Sequence, residues 1–500
     1  MVKDRVLCVL REKGLATQWI QVITGRERKG RKPKRRNRMK KVLLAVLIVF
    51  VTTTVWAGSS TNPPTQSRTV RDRVYEVVGT TTPDLKFDLS GEFSAQGYYW
   101  DNFALKADDT VTNSYYKGYV SLFPKITVGN TSFIGKINMR DEKWGDYAAY
   151  GTDNPDAWPY AYSSQNNDNI AIERAYISHA FATKTILDVG LMSGQWWATK
   201  FGDYMQPRYR VKVVQNTALG VVGGLVEKDA ELGNAATEDS EKDDYDSYAL
   251  FAVTKLGTVY VKPLIFYVDR SSTVPTAGKE GIKRLYISLG LDGDLGPIQF
   301  ESEWTYQDTK YEDLADLAAV NPLYTFAEDS TVYGAYLNLF KTMDFGKPGI
   351  VLVYLGYDDE GGPVGSGHGL DSRQDFKANL IIGDEIGFGS VVGQDAEDLL
   401  GMNMIKPYIQ GMKAMDNLTF DASFAYIMSN QDDYTPVVAG AVGPNPWVDA
   451  TAWEIDLGAN YKITPNLYYL VDAGYANIDF DEGDDPDPVM VLKHEMLFTF

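Results

Sequence analysis

From Leu85 onward, apolar side chains recur at every second position. Leu85, Phe87, Leu89, Gly91, Phe93, Ala95, Gly97 and Tyr99 alternate with Lys86, Asp88, Ser90, Glu92, Ser94 and Gln96. A β-strand sends successive side chains to opposite faces, so this segment carries one greasy face and one polar face. The next segment repeats the rhythm. Tyr116, Gly118, Val120, Leu122, Ile126 and Val128 alternate up to Gly129-Asn130, and Phe133, Gly135, Ile137 and Met139 alternate away from it. Two such arms around an Asn-containing turn predict a hairpin. Pro124 interrupts the first arm, which a bulge or an edge near the rim would tolerate.

The rhythm runs to the end of the chain. Short turns fall near Thr183, Asn216, Gly257, Asp292–Gly296, Asp344–Lys347, Asp416-Asn417 and Thr464–Asn466. Longer polar stretches fall at 102–114, 143–168, 198–206, 228–243, 271–280, 309–330, 359–401, 431–449 and 480–489. Short and long connections alternate. Tight turns on one side and long loops on the other are the pattern of a barrel that spans an outer membrane. Counting arms predicts an all-β, antiparallel, up-and-down transmembrane barrel of about 18 strands over 85–500, with short periplasmic turns and long outer loops. The stretch Phe376–Phe388 also reads as a strand, but counting it breaks the alternation. It belongs inside the longest loop, and a loop of that length with apolar content is expected to fold into the lumen.

The first 84 residues have a different character. From Met39 the chain reads Met-Lys-Lys, then an apolar run from Val42 to Val51, then small residues up to Ala57. A basic start, a short apolar core, and Val55 and Ala57 at the −3 and −1 positions predict a signal peptide over 39–57. The run is well short of the roughly 20 residues that a membrane helix needs. Residues 1–38, with the basic stretch Arg26–Arg38, read as a start-site overrun or a disordered basic extension. Residues 58–84, with Pro63-Pro64, read as a flexible periplasmic leader.

Composition then narrows the partners. Residues 1–57 hold 15 Lys and Arg against 3 Asp and Glu, leaving 33 basic and 64 acidic residues for the rest of the 500. A body of that charge repels phosphate backbones, which argues against nucleic-acid binding. The only cysteine is Cys8, so the remainder can hold neither a disulfide nor a thiolate metal site. Mean hydropathy is −0.25. That value would suit a soluble protein, but alternation hides the apolar face of a barrel from any average. The 32 tyrosines suit a membrane–water boundary, having an apolar ring and a polar tip. The three histidines, His179, His368 and His494, do not pair at metal-ligand spacing, and no common catalytic template occurs. No cofactor or metal is expected. The acidic runs Glu238–Asp246, Asp358–Glu360 and Asp479–Asp487 could bind Ca²⁺, but read first as solvated loop tips or as carboxylates bridged by divalent ions to surface polysaccharide.

The chain closes on Leu492-Lys493-His494-Glu495-Met496-Leu497-Phe498-Thr499-Phe500, with apolar residues at 492, 496, 498 and 500. This ending resembles the terminal strand of the large porin superfamily of Gram-negative bacteria. The resemblance implies that Phe498 and Phe500 are read by the barrel-assembly machinery. It further implies an outer-membrane location among lipid and lipopolysaccharide, and a homotrimer. His494 departs from the pattern, because its phase points it at lipid.

Polar residues opposite the apolar stripe face the lumen of such a barrel. On 131–142 these are Lys136, Asn138 and Arg140; on 207–216, Arg208, Arg210 and Lys212. On 297–308 they include Glu301 and Glu303; on 450–462, Glu454 and Asp456. Cations facing carboxylates across a pore set up a transverse field that sorts solutes by charge. For Glu173 and Arg174 alternation does not choose a face. The expected function is an outer-membrane porin passing small hydrophilic solutes and ions by diffusion, without catalysis. A substrate-specific channel for sugars, organic acids or exported polysaccharide is the alternative. A barrel enzyme or an adhesin ranks behind both.

Overall fold

The computed structural model describes residues 85–500. Excepted are 103–104, 106–111, 144–169, 193–196, 203–206, 231–244, 271–280, 313–328, 358–375, 385, 389–398, 400, 432–436, 439–440, 443–445 and 482–484. The chain divides into two units, Met1–Asn62 and Pro63–Phe500. The readings made for 1–38, 39–57 and 58–84 lie outside the described residues.

Strands β1 (Leu85–Asp101), β2 (Asn113–Val128), β3 (Thr131–Lys143), β4 (Ile170–Ala180), β5 (Thr185–Met192) and β6 (Arg208–Thr217) come first. They continue through β7 (Gly220–Ala230), β8 (Tyr245–Leu256), β9 (Val259–Arg270), β10 (Gly281–Leu295), β11 (Ile298–Glu312) and β12 (Ser330–Phe340). Then follow β13 (Lys347–Leu355), β14 (Met402–Met415) and β15 (Leu418–Ser429). The small pair β16 (Val437–Val438) and β17 (Ala441–Val442) lies within the next connection, before β18 (Thr451–Thr464), β19 (Leu467–Asp479) and β20 (Val489–Thr499). All except β16 and β17 form one 18-stranded sheet. Each strand runs antiparallel to its neighbours, and β20 pairs back onto β1, from Glu92–Thr499 to Asp101–Met490. The sheet is therefore a closed barrel. Closure matters physically: in lipid an unpaired backbone N–H or C=O costs several kcal/mol, on the order of an unmade hydrogen bond, and a closed sheet leaves no edge.

Eight short connections alternate with nine long ones. The short ones include Gly129-Asn130, 257–258, 296–297, 416–417 and 465–466. A two-residue hairpin turn favours positive φ at its first central residue, and Gly129 (φ 56) supplies it. Outside the wall, large apolar side chains stand exposed all round the barrel, among them Phe87, Ile177, Tyr209, Trp304, Tyr354 and Leu457. Such a girdle would be a severe liability in water and is ordinary in lipid. Among the described residues no helix is long and apolar enough to cross a membrane; the strands do so.

Three local features settle points that alternation left open. Pro124 sits opposite Leu89 in regular register with β1, and on the β3 side the pairing steps from Leu122–Ile137 to Lys125–Ile134 without a bulge or an edge. Room for its ring comes from Gly135 on β3, where a Cβ would come within 2.9 Å of the Pro124 ring. Strand β4 does carry a bulge: Lys136 pairs with Arg174 and Ile137 with Ile172, leaving Glu173 extra. Directly paired residues share a face, so Arg174 joins Lys136 on the inside, and Glu173 reaches Lys136 from the same side. Both side chains of the ambiguous pair point inward. His494 lies in regular register on the outer face. Its ring occupies the slot left by Gly97 and contacts Tyr116 edge-on and Tyr469, at centroid distances of 5.7 and 6.0 Å.

The C-terminus completes the closure. Gly91 N–H donates to the Phe500 carbonyl at 2.9 Å, and Phe500 N–H donates to the Gly91 carbonyl at 3.0 Å. The Phe500 ring stacks on Phe498 and covers Gly91, where a Cβ would meet it at 2.5 Å. Deleting Phe500 removes both seam hydrogen bonds and the ring together. The expected result is less assembled barrel, read as less heat-modifiable protein on a gel. An unchanged folded fraction would contradict this role.

Candidate functional site

The inner wall divides by chemistry. Strands β3 to β7 form a basic sector. Lys136 Nζ lies 2.6 Å from Glu173 Oε2. Asn138 accepts a hydrogen bond from Ser121 Oγ at 2.7 Å and donates to Glu173. Arg140 follows on β3, but its side chain lies outside the described residues. Arg208 and Arg210 both face Glu227 on β7: Arg208 Nε stands 3.2 Å from Oε1, and Arg210 Nε bonds Oε2. Lys212 Nζ stands 2.9 Å from Asp188 Oδ2 on β5. Arg208, Arg210 and Lys212 thus form a ladder of cations on the inward face, but it is paired sideways. Arg210 and Glu227 are direct cross-strand partners, as are Lys212 and Asp188, so the nearest carboxylates are next door rather than across the lumen. Sequence reasoning passed over Glu227 and Asp188. Their signal was an acid at an inward position, within an apolar run for Asp188 and at the end of one for Glu227.

The opposite sector, β11 to β20, is richer in carboxylates. Glu301 accepts from Tyr336 Oη at 3.1 Å and from Asn338 Nδ2 at 3.0 Å, and Tyr408 Oη extends the network to Asn338 at 3.0 Å. Asp456 accepts from Ser423 Oγ at 3.0 Å and lies 3.4 Å from Lys406 Nζ.

Two further acids of this sector hold main chain that comes in from loops. The first segment is 197–202, from the connection between β5 and β6. Glu303 Oε2 accepts from Thr199 N–H at 3.0 Å and from Thr199 Oγ at 2.8 Å, while Oε1 accepts from Ser288 Oγ at 2.6 Å. Trp197 donates its indole N–H to the Lys262 carbonyl at 3.0 Å and packs on Phe251. Gly290, the cross-strand partner of Glu303, leaves the space where Ala198 sits.

The second segment is 376–388, from the connection between β13 and β14. Its main chain closes on itself through Ile386 N–H to the Ile381 carbonyl at 3.0 Å and Gly383 N–H to the Ile386 carbonyl at 2.8 Å. Gly383 has φ +95 and is walled by Leu399 and Ala378, so only glycine suits the bend. Glu454 accepts Ile381 N–H through Oε1 at 2.7 Å and Ile382 N–H through Oε2 at 2.9 Å. Lys406 Nζ donates to the Ala378 carbonyl at 2.9 Å. Gly474 again leaves the gap, with a Cβ there falling 3.1 Å from Ile381. Buried main-chain N–H groups must find acceptors, so a loop enters a barrel only where the wall supplies them.

The segment's apolar side chains meet a matching wall. At the long-loop end, inward positions are Val353, Leu355, Met402, Met404, Ile427, Ala452, Ala476, Val489 and Val491, all buried with Ile381, Ile382, Phe388 and Trp447. Phe376–Phe388 forms no barrel strand and lies inside the barrel, as its place within the longest loop and its apolar content lead one to expect. Those inward positions in this sector are apolar because the segment rather than water covers them.

Burial separates the residues singled out by sequence. Lys136, Asn138, Arg210, Lys212, Glu301 and Asp456 keep part of their surface. Arg208, Glu303 and Glu454 point inward but are buried, at 8%, 0% and 0% exposure. Glu303 and Glu454 are covered by the segments they hold, so they anchor main chain instead of touching lumen water. Among the described residues, no group of three or more His, Cys, Asp or Glu is placed to hold a metal ion.

A closed sheet with an apolar outer face, a charged inner face and one-sided long loops defines a transmembrane β-barrel of the outer-membrane type. Solved outer-membrane structures match it at low identity. OpdK of Pseudomonas aeruginosa, solved with vanillate, is 10% identical with a TM-score of 0.47, over 83% of this chain and 98% of that chain. The anion-selective porin from Comamonas acidovorans is 8% identical with a TM-score of 0.41, over 83% and 100%. The outer-membrane protein OmpT of Vibrio cholerae is 10% identical with a TM-score of 0.38, over 83% and 98%. No protein-family model and no curated relative matches the sequence. The assignment to the class rests on the pairing and the two faces of the wall.

Proposed function

We propose that this protein is a passive channel of the outer membrane for small hydrophilic solutes and ions. The observation that carries the reading is the closed 18-stranded wall with charged groups inside and apolar groups outside. A barrel of this strand number leaves room for an aqueous path. Its two in-folded segments narrow that path from the β8–β20 side, which supports a lumen running along the basic sector. Lys136, Lys212 and Arg174 then meet passing solutes on one side, and Glu301 and Asp456 on the other. In this reading residues 39–57 direct export, and the assembly machinery takes Phe498 and Phe500 as its signal. Lipid and lipopolysaccharide surround the barrel, and three copies associate.

The test is planar-bilayer recording of refolded residues 58–500, with the reversal potential taken in a KCl gradient. Discrete conductance steps are expected. Folded, heat-modifiable protein that gives no steps would sink the channel reading. The in-folded segments also favour a narrower version, a substrate-specific channel. Saturable block of the current by one class of solute, and by no other, would establish that version.

A further inference from the structure

The two in-folded segments touch. Phe201, from the first, meets Phe376, from the second, edge-to-face at a centroid distance of 5.3 Å. Tyr336 on the β12 wall completes a trio, 5.9 Å from Phe201 and 5.8 Å from Phe376. Phe201 and Phe376 are both buried, at 2% and 6% exposure. Tyr336 is the direct cross-strand partner of Glu303, so the trio is built against the first anchor. A continuous path of contacts therefore runs from Glu303 through Thr199 and Phe201 to Phe376, and on to Ile381, Ile382 and Glu454.

We propose that segments 197–202 and 376–384 form one cooperative partition, latched at two carboxylates and coupled through the Phe201–Tyr336–Phe376 contact. Apart from one 3-10 turn at Lys200–Gly202, neither segment has regular secondary structure to hold it. Each is short and depends on its anchor, its wall glycine and the ring of the other. Interdigitated aromatic rings have few alternative packings, and a ring that loses its neighbour leaves a cavity. Loosening either anchor therefore costs the far segment part of its packing. The two move out of the wall together more often than two independent loops would. Aromatic pairs are worth about 0.5–1.5 kcal/mol beyond their buried area, enough for coupling of roughly threefold to tenfold.

The inference concerns the fold and stands whether or not solutes pass, so its test does not use conduction. Amide hydrogen exchange is measured on the full barrel in detergent, for the parent, Glu303→Gln, Phe376→Leu and the double variant. Exchange at a main-chain amide reports local opening. Glu303 bonds Thr199, and none of its bonds reaches residues 376–384. Coupling nonetheless predicts that Glu303→Gln speeds exchange at Ile381 and Ile382 by about threefold to tenfold, along with Thr199. Phe376→Leu keeps an apolar side chain but removes the ring contact. In that background Glu303→Gln should speed Thr199 alone. Heat-modifiable migration verifies that each variant is a folded barrel, and Glu303→Asp replaces Glu303→Gln if the latter fails to assemble. Faster exchange at Thr199 with parent rates at Ile381 and Ile382 would overturn the coupling. So would an effect at Ile381 and Ile382 that survives Phe376→Leu undiminished. A barrel without conductance would defeat the proposed function and leave this result as it stands.

Discussion

Replacing Glu454 with alanine will release segment 376–388 from the wall and raise single-channel conductance, with more noise in the open state. The carboxylate is fully buried and accepts two main-chain N–H groups, at 2.7 and 2.9 Å. Alanine offers neither acceptor. Each buried donor left unpaired costs about 1–3 kcal/mol, and hydrogen bonds to a charged group lie at the upper end. A loss of about 3 kcal/mol shifts the balance between seated and displaced segment by roughly a hundredfold. Apolar contacts of Ile381, Ile382 and Phe388 remain, as does the Lys406 bond to Ala378, so displacement will be intermittent rather than complete. The barrel itself does not depend on the segment, because its strands are paired throughout. Normal heat-modifiability is therefore expected. Equal conductance and equal open-state noise in parent and variant would show that the segment does not border the path.

The second large effect is expected at Glu227. This one buried carboxylate answers two arginines, Arg208 and Arg210, which stand two residues apart on the same face. Glu227→Gln keeps the shape and removes the charge. Two guanidinium groups are then left in a poorly hydrated place with one hydrogen-bonding amide between them. Breaking a buried pair from one side typically costs about 3–5 kcal/mol. The heat-modifiability transition should move to lower temperature accordingly. The wall also gains net positive charge, so the reversal potential in a KCl gradient should shift toward anions. The complementary triple change of Arg208, Arg210 and Lys212 to Gln shifts it toward cations, since it deletes three cations and leaves the carboxylates of Glu227 and Asp188 in the wall. The pairing predicts a stability penalty for that variant, which a freely hydrated ladder would not show. If Glu227→Gln leaves both the transition and the reversal potential where they were, the clamp is not part of the solute path and its charge is balanced elsewhere.

These effects could not have been assigned from the chain alone, although the framework in which they occur could. The alternation from Leu85 to Tyr99 names the two faces of β1 because a strand has a period of two and the two solvents, lipid and water, differ sharply. The same logic recovered every barrel strand, the order of short and long connections, and the placement of 376–388 inside a loop. It also placed Lys136, Asn138, Arg208, Arg210, Lys212, Glu301, Glu303, Glu454 and Asp456 on the inward face. It stalled where the period slips. One extra residue at Glu173 puts two successive side chains on one side, and no local pattern announces it. At Pro124 it expected a bulge or an edge, and Gly135, on another strand, makes room for the ring instead.

The sequence by itself determined the wall: which residues form strands, which face each points to, and that an even number of them closes into a barrel. Those properties are local, set by alternation along one strand and by the length of each connection. Only the tertiary structure decided what the inward charges do. Whether an inward acid meets water, an arginine or a main-chain amide depends on the neighbouring strand's register and on which loop folds back over it. Glu227 opposite Arg210, Gly290 beneath Ala198, and Phe201 against Phe376 are contacts between residues 17, 92 and 175 positions apart. Burial and pairing of a charge are properties of such contacts, so identical-looking glutamates at 301, 303 and 454 become a part-exposed hydrogen-bond acceptor and two hidden anchors.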